Sequence, residues 1–221
     1  MSNRSPVAVL IPTRGRPQCF QNAVESIVKT SLAWIVGYLD DDTDGAGYPG
    51  DTARIRMIQG PRIGVTGALN VMAEWVMKER PYTEVIAMMT DDSLMVTSGW
   101  DDFALRVARR FHKGIGVISP RANKCGVNRV DQPAITMGWY KQFGYFAHKE
   151  LSHYCWPSIL GLLSDRLCLY RCTGQEWEIE HHQVGGRDPV FAQDAERFYE
   201  WVVWYMEEDR IALERKLEAI E

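Results

Sequence analysis

The sequence predicts an α/β fold: a mostly parallel central sheet flanked by helices, then an α+β segment and a C-terminal helix. Three observations predict it. Short, continuously apolar, β-branched runs recur through the first 120 residues, as strands buried on both faces require. Segments with apolar residues at helical spacing separate them. The strand-like runs also end in polar clusters, as in open sheets that hold ligands beyond the carboxyl ends of their strands.

The elements follow in order. Val7 to Pro12 is a buried strand, and Thr13-Arg14-Gly15-Arg16-Pro17 turns it into a helix from Gln18 to Lys29, with Phe20, Val24 and Ile27/Val28 on one face. Ala33 to Leu39 is a second strand, ending in Asp40-Asp41-Asp42 and a Gly/Pro loop to Gly50. Arg54 to Ile58 is a third. Gly64 to Lys78 forms a helix with Leu69, Met72 and Val76 inward. Val85 to Met89 is a fourth strand, ending in Thr90-Asp91-Asp92-Ser93. A helix from Asp101 to Phe111 and a strand from Ile115 to Ile118 complete this half. Beyond it, residues 121–147 are rich in Gly and aromatics and suggest irregular strands. Pro157 to Leu167 reads as a helix, Glu176 to His182 as a short polar segment, and Pro189 to Glu221 as largely helical. The expected organisation is one domain over 1–195, in halves 1–120 and 121–195, with 196–221 as a C-terminal helical extension.

Composition narrows the function. Of 221 residues, 46% are hydrophobic and 24% charged, which argues against intrinsic disorder. No apolar run approaches the length of a membrane span, and the N-terminal residues lack the apolar core of a signal peptide; the expected location is cytoplasmic. A formal charge of −4 argues against a generic polyanion binder. The cysteines at 19, 125, 155, 168 and 172 are odd in number and scattered, which reads as free thiols.

The strand-end clusters carry the candidate chemistry. Adjacent Asp91 and Asp92 suit a hard divalent cation, which takes one or two carboxylates and completes its shell on phosphates. Helix or turn capping is the competing use. Asp40-Asp41-Asp42 could accept hydrogen bonds from a base or ribose, or form a solvated turn. Pro12-Thr13-Arg14-Gly15-Arg16-Pro17 offers backbone and guanidinium donors to phosphates. It is neither a P-loop nor a Gly-x-Gly-x-x-Gly turn. His181, after Glu180, could complete a metal site begun by Asp92. A zinc site from His153, Cys155, Cys168, Cys172 and His181 matches no common ligand spacing.

Together these residues resemble a nucleotide-sugar glycosyltransferase of the GT-A fold, a Rossmann-like architecture, in the inverting family-two group. Val7 to Pro17 resembles that group's opening strand and Pro-Thr-Arg-x-Arg-Pro turn. Gly64-Val-Thr-Gly-Ala-Leu-Asn70 is similar to its Gly-x-x-x-Ala-Arg-Asn helix start, Thr90-Asp91-Asp92 to its metal motif, and Ser98-Gly99-Trp100 to its Pro-Gly-Trp. Glu180-His181 resembles its late Glu-His pair. The resemblance implies a nucleotide-sugar half over 1–120 and an acceptor half over 121–195. It implies Mn²⁺ or Mg²⁺ on Asp92 and His181. Pro12, Thr13, Arg14, Arg16, Asp40, Asp41, Asp42, Asn70 and Asp91 fall on its donor-binding positions, with a UDP-sugar favoured.

Two positions depart from that pattern. Leu69 replaces the group's Arg. His153-Tyr-Cys-Trp-Pro-Ser158 lacks the acid expected there as catalytic base, leaving Asp165, Asp188, Glu150 and His153 as candidates. The acceptor is a glycan or, as in some viral enzymes of this type, a hydroxymethylated DNA base. A basic set at Arg106, Arg109, Arg110, His112, Lys113, Arg121, Lys124 and Arg129 could meet a phosphate backbone, or could be a solvated face. The rival functions are a nucleotidyltransferase and an inactive glycosyltransferase-like binding or assembly module. Trp201, Trp204 and Tyr205 either pack back on the domain or form a homodimer contact through the C-terminal helix.

Overall fold

A computed structural model describes residues 5–40, 44–122, 130–152, 155–167, 169–173, 176–182 and 190–220. The predicted alternation is present. Strand β1 (Val7–Thr13) leads to α1 (Pro17–Thr30), then β2 (Trp34–Asp40), β3 (Ile55–Gly60), α2 (Gly64–Glu79) and β4 (Val85–Met88). β5 (Ser93–Met95), α3 (Trp100–Ala108), β6 (Val117–Ser119), β7 (Arg121–Ala122), β8 (Ala134–Thr136) and α4 (Met137–Phe143) follow. The chain continues through α5 (Trp156–Arg166), β9 (Tyr170–Cys172), β10 (Glu178–His181), α6 (Val190–Glu200) and α7 (Met206–Glu218).

Seven strands form the central sheet in the order β3-β2-β1-β4-β8-β6-β9. β3, β2, β1 and β4 run parallel; β8 is antiparallel to both β4 and β6, and β9 is parallel to β6. Strand periodicity divides the core in two. Ala8, Leu10, Val36, Tyr38, Ile86 and Met88 face α2 and a cluster that reaches α4, α5 and α7. Val7, Val9, Ile11, Ile35, Val85 and Ala87 face α1 and α3. A second sheet, β5-β10-β7, lies against this latter layer. Its Trp177 stacks on Trp100 of α3, with ring centroids 4.8 Å apart.

Three expectations change. The 121–147 segment contains a helix, α4, besides short strands. Thr136 caps its start, accepting from the Trp139 N–H at 3.1 Å, and Gly144 ends it in the left-handed conformation. Met137, Tyr140 and Phe143 then share its buried side at helical spacing. The helix beginning at Trp100 stops at Ala108 rather than Phe111, because Phe111 turns inward, 8% exposed, ahead of β6. The C-terminal helical run is also interrupted, by a π-turn at Trp201–Tyr205. That turn buries Trp201 at 3% exposure and leaves Trp204 at 72%. Trp201 and Leu213 join the α2-side core, so this part of the chain packs on the molecule's own surface. No described helix is long and apolar enough to cross a membrane.

Candidate functional site

The parallel order sets the site. β2, β1 and β4 are neighbours, so their carboxyl ends deliver Asp40, Thr13 and the Thr90–Ser93 turn to one edge of the sheet. Gly15 makes the turn after β1 possible with φ +64°, a conformation open to glycine and costly for other residues. The chain then reverses into α1, and Arg16 points back over the edge. Its Nη2 lies 2.5 Å from Asp91 Oδ1 and its Nη1 3.4 Å from Asp92 Oδ2. Thr13 Oγ1 donates to Asp91 Oδ2 at 2.7 Å.

The two aspartates therefore differ in kind. Asp91 is buried at 1% exposure, and both its oxygens are engaged by β1 and its turn. Burial raises its pKa above the ordinary carboxylate value, with the Arg16 charge and the Thr13 hydrogen bond acting against that rise. It anchors the loop. Asp92 turns its Oδ1 to His181 Nε2 at 3.4 Å. β10 brings that histidine in by antiparallel pairing with β5, which places His181 opposite Ser93. The His182 N–H donates to the Asp92 carbonyl at 2.9 Å, closing the turn against β10. His181 Nδ1 faces Asp131 Oδ2, also at 3.4 Å. The carboxylates of Asp131 and then Asp92 beside the ring outweigh desolvation and push the His181 pKa up to about 9.

This donor set fits a divalent cation. Six-coordinate Mg²⁺, with bonds of about 2.1 Å, sets neighbouring ligand atoms about 3 Å apart. Asp92 Oδ1 and His181 Nε2 are close to that separation. Carboxylate oxygen with imidazole suits Mn²⁺ or Mg²⁺ better than a thiolate-seeking ion. Among the described residues, no group of three or more His, Cys, Asp or Glu forms a closed cage. An ion here would share its shell with a ligand's oxygens. For the zinc alternative, Cys155 stands half-buried just ahead of α5 and is in no disulfide, while His153 and Cys168 lie outside the described residues.

Other predicted residues divide. Arg14 Nε sits 3.7 Å from Asp40 Oδ2 at the same edge, and Pro12 pairs with Tyr38, one residue before Thr13 ends the β1–β2 pairing opposite Leu39. Asp41, Asp42 and Asp188 lie outside the described residues. Asn70 faces another way: its Oδ1 accepts from the N–H groups of Phe146 and Ala147, and its Nδ2 donates to the Ala147 carbonyl. It fastens that segment to α2. Glu150 is exposed and lines a cleft of about 690 Å³ with His148, Arg197, Trp201, Tyr205 and Asp209. Asp165 is exposed near the end of α5.

Sequence reasoning missed four residues. Tyr48 accepts the Arg16 N–H at 2.9 Å and lies 3.3 Å from Thr13 Oγ1, holding the turn from the Gly/Pro loop. Gln132 accepts the Thr90 N–H at 2.9 Å and donates to Ser93 Oγ at 2.8 Å. Asp131 faces His181. Asp194 is fully buried in α6 and accepts the Ser152 N–H at 3.2 Å. Only a polar Asp-Gln pair immediately before an apolar strand could have pointed to two of them.

Three of the basic set have partners within the chain. Arg109 makes a two-pronged contact with Glu84, Arg106 stacks near Phe103, and Arg121 pairs with Glu178 at 3.2 Å. The 109–113 corner leads into the amino end of β6, on the opposite side of the sheet from Asp91 and Asp92. Lys124 and Arg129 lie outside the described residues.

No protein-family model matches the sequence, and no curated protein matches it significantly. Solved structures match the fold. TarS of S. aureus superposes with a TM-score of 0.60 at 11% identity, over 90% of this chain and 40% of that one. The mannosyltransferase PcManGT from Pyrobaculum calidifontis, in complex with GDP-Man and Mn²⁺, gives 0.59 at 13%, over 98% and 75%. A cytidylyltransferase from Leptospira borgpetersenii gives 0.51 at 10%, over 78% and 77%. The chain thus has the GT-A-type architecture that its motifs resemble, and spans well under half of TarS.

Proposed function

We propose that this chain is a metal-dependent inverting glycosyltransferase that moves a sugar from a nucleotide-diphosphate sugar to an acceptor hydroxyl. The observation that carries the reading is the convergence of Thr13, Arg16, Asp91, Asp92 and His181 at the carboxyl edge of the sheet. Asp92 and His181 would hold Mn²⁺ or Mg²⁺, which when bound would supply positive charge against the diphosphate leaving group. Asp40 and Arg14, at the end of β2 and the β1 turn, are placed for the nucleoside side. Arg16 offers its guanidinium to phosphate oxygens. The acceptor hydroxyl gives its proton to a carboxylate and attacks the anomeric carbon, whose bond to the nucleoside diphosphate breaks with inversion. Of the candidate bases among the described residues, Glu150 is the one lining a cleft of glycan size. A glycan is favoured over a DNA base as acceptor, because Arg109 is paired with Glu84 and the 109–113 corner lies at the end of the sheet opposite the site.

The experiment is thermal stabilisation by UDP, GDP, CMP and dTDP, each with and without Mn²⁺ or Mg²⁺. A ligand that binds the folded state raises the melting temperature by mass action. A metal-dependent rise with one nucleotide, lost in Asp92→Ala along with sugar transfer, is the expected result. No rise with any nucleotide would leave the inactive-module reading in its place. The likeness to a cytidylyltransferase keeps a nucleotidyltransferase as the second reading. Product analysis separates them: glycosyl transfer releases nucleoside diphosphate, nucleotidyl transfer releases pyrophosphate.

A further inference from the structure

The strap that enters β8 is tied to the end of β4 at one point and to the acidic turn at two. The Met88 N–H donates to the Pro133 carbonyl at 2.9 Å, the Thr90 N–H to Gln132 Oε1 at 2.9 Å, and Gln132 Nε2 to Ser93 Oγ at 2.8 Å. Gln132 is itself 1% exposed, so the strap is locked into the interior. Asp131 is the residue just before these anchors. Its Oδ2 is buried and makes no hydrogen bond of good geometry to any described residue. What stands in front of it is His181 Nδ1, at 3.4 Å, while the other ring nitrogen of His181 faces Asp92. A buried carboxylate oxygen is costly to leave unsatisfied, so this placement needs a reason. A histidine that ligates a metal through one nitrogen commonly donates its other N–H to a carboxylate, which fixes ring orientation and tautomer.

We propose that Asp131 is a positioning residue for His181: its carboxylate takes the Nδ1–H and holds the ring so that Nε2 faces the cation held with Asp92. The inference rests on the reading of Asp92 and His181 as metal ligands. It goes beyond that reading by assigning a residue outside the ligand set. The arrangement is a chain, strap to Asp131 to His181 to Asp92. Gln132 fixes one end on the acidic turn and β10 fixes the histidine on the other side. The Asp131–Gln132 pair therefore sets both partners of the site in one register.

The test is the affinity of the full chain for Mn²⁺, read from the electron paramagnetic resonance signal of free Mn²⁺ with UDP or GDP present. Asp131→Asn keeps the shape but can turn its amide N–H₂ toward Nδ1, favouring the wrong tautomer. It is expected to weaken Mn²⁺ binding by about 10- to 100-fold, the range for outer partners of metal-bound histidine. Asp131→Glu is expected to recover part of that loss, and the melting temperature of Asp131→Asn without metal to stay near that of the parent. In the His181→Ala background, Asp131→Asn should cause no further loss, because its effect passes through the ring. Unchanged Mn²⁺ affinity in Asp131→Asn overturns the proposal. So does an equal loss with His181 absent, which would make Asp131 act on its own. If the parent chain binds no Mn²⁺ with either nucleotide, the metal-site reading falls instead, and the two failures are told apart.

Discussion

Arg16 is the residue on which the site's electrostatics turn. Its guanidinium lies against the buried Asp91, and it reaches Asp92 as well. Removing it leaves Asp91, among the described residues, with the Thr13 hydroxyl. Arg16→Ala should cost about 2–3 kcal/mol near neutral pH, less than the 3–5 of a fully buried pair because Arg16 is partly exposed. The sign with pH follows from Asp91. Its folded pKa is already raised by burial, so its charging destabilises the fold as pH rises through that value, and losing Arg16 raises it further. Parent and variant should therefore converge as the pH falls toward the ordinary carboxylate range, where Asp91 is protonated in both. Urea unfolding at a series of pH values checks this; a gap that widens on acidification would refute it. The sequence revealed Thr13, Arg16, Asp91, Asp92 and His181 because strand-end clusters of polar residues are visible as patterns. Tyr48 and Asp194 were invisible because each acts through a neighbour that only the tertiary fold supplies, and Asp131 showed only as half of a polar pair before an apolar strand. Asn70 shows the converse: its place in a helix-start motif is legible, but its hydrogen bonds to the 146–147 backbone are not.

At the scale of elements, the parallel strands were legible because burial on both faces forces continuous apolar runs. The α4 helix was not, since seven residues carry too little period to outweigh the surrounding Gly and aromatics. Nor was the small β5-β10-β7 sheet, whose strands of two to four residues pair across distant parts of the chain. The C-terminal elements meet the rest at His148. Its ring contacts Trp201, centroids 5.8 Å apart, and its Nε2 lies 3.4 Å from Asp209. Burial lowers the His148 pKa, with Asp209 opposing that shift less strongly. The neutral ring thus belongs to the folded state. Stability from this group is present above the ordinary histidine value of about 6.5 and is lost as pH falls through the depressed folded value. Hydrogen exchange of the α6 and α7 amides should accelerate, relative to the intrinsic rate, as the pH is taken below 6. His148→Phe, which cannot charge, should flatten that response; an unchanged response in the variant would sink the assignment.

For the molecule as a whole, the reading of 196–221 as an appended helix meets a core that does not stop at residue 195. Trp201 and Leu213 are 3% and 5% exposed and sit in the same cluster as Leu69, Met72, Phe143 and Leu163. The Trp201 indole also donates to Asp209 at 2.5 Å, bracing the π-turn against α7. Truncating one buried Trp to Ala costs about 3–5 kcal/mol. A whole domain has about 5–15 kcal/mol to lose. Deleting residues 196–221 removes that indole, Leu213 and the cover over α4 and α5 together, so the remaining chain should lose its cooperative thermal transition or lower its melting point steeply. Differential scanning calorimetry of full and shortened chains decides the matter. A shortened chain with an unchanged transition would restore the separable extension. The expected loss would instead mean that the wall of the Glu150 cleft formed by Arg197, Trp201 and Tyr205 belongs to the same folding unit as the Asp92–His181 edge.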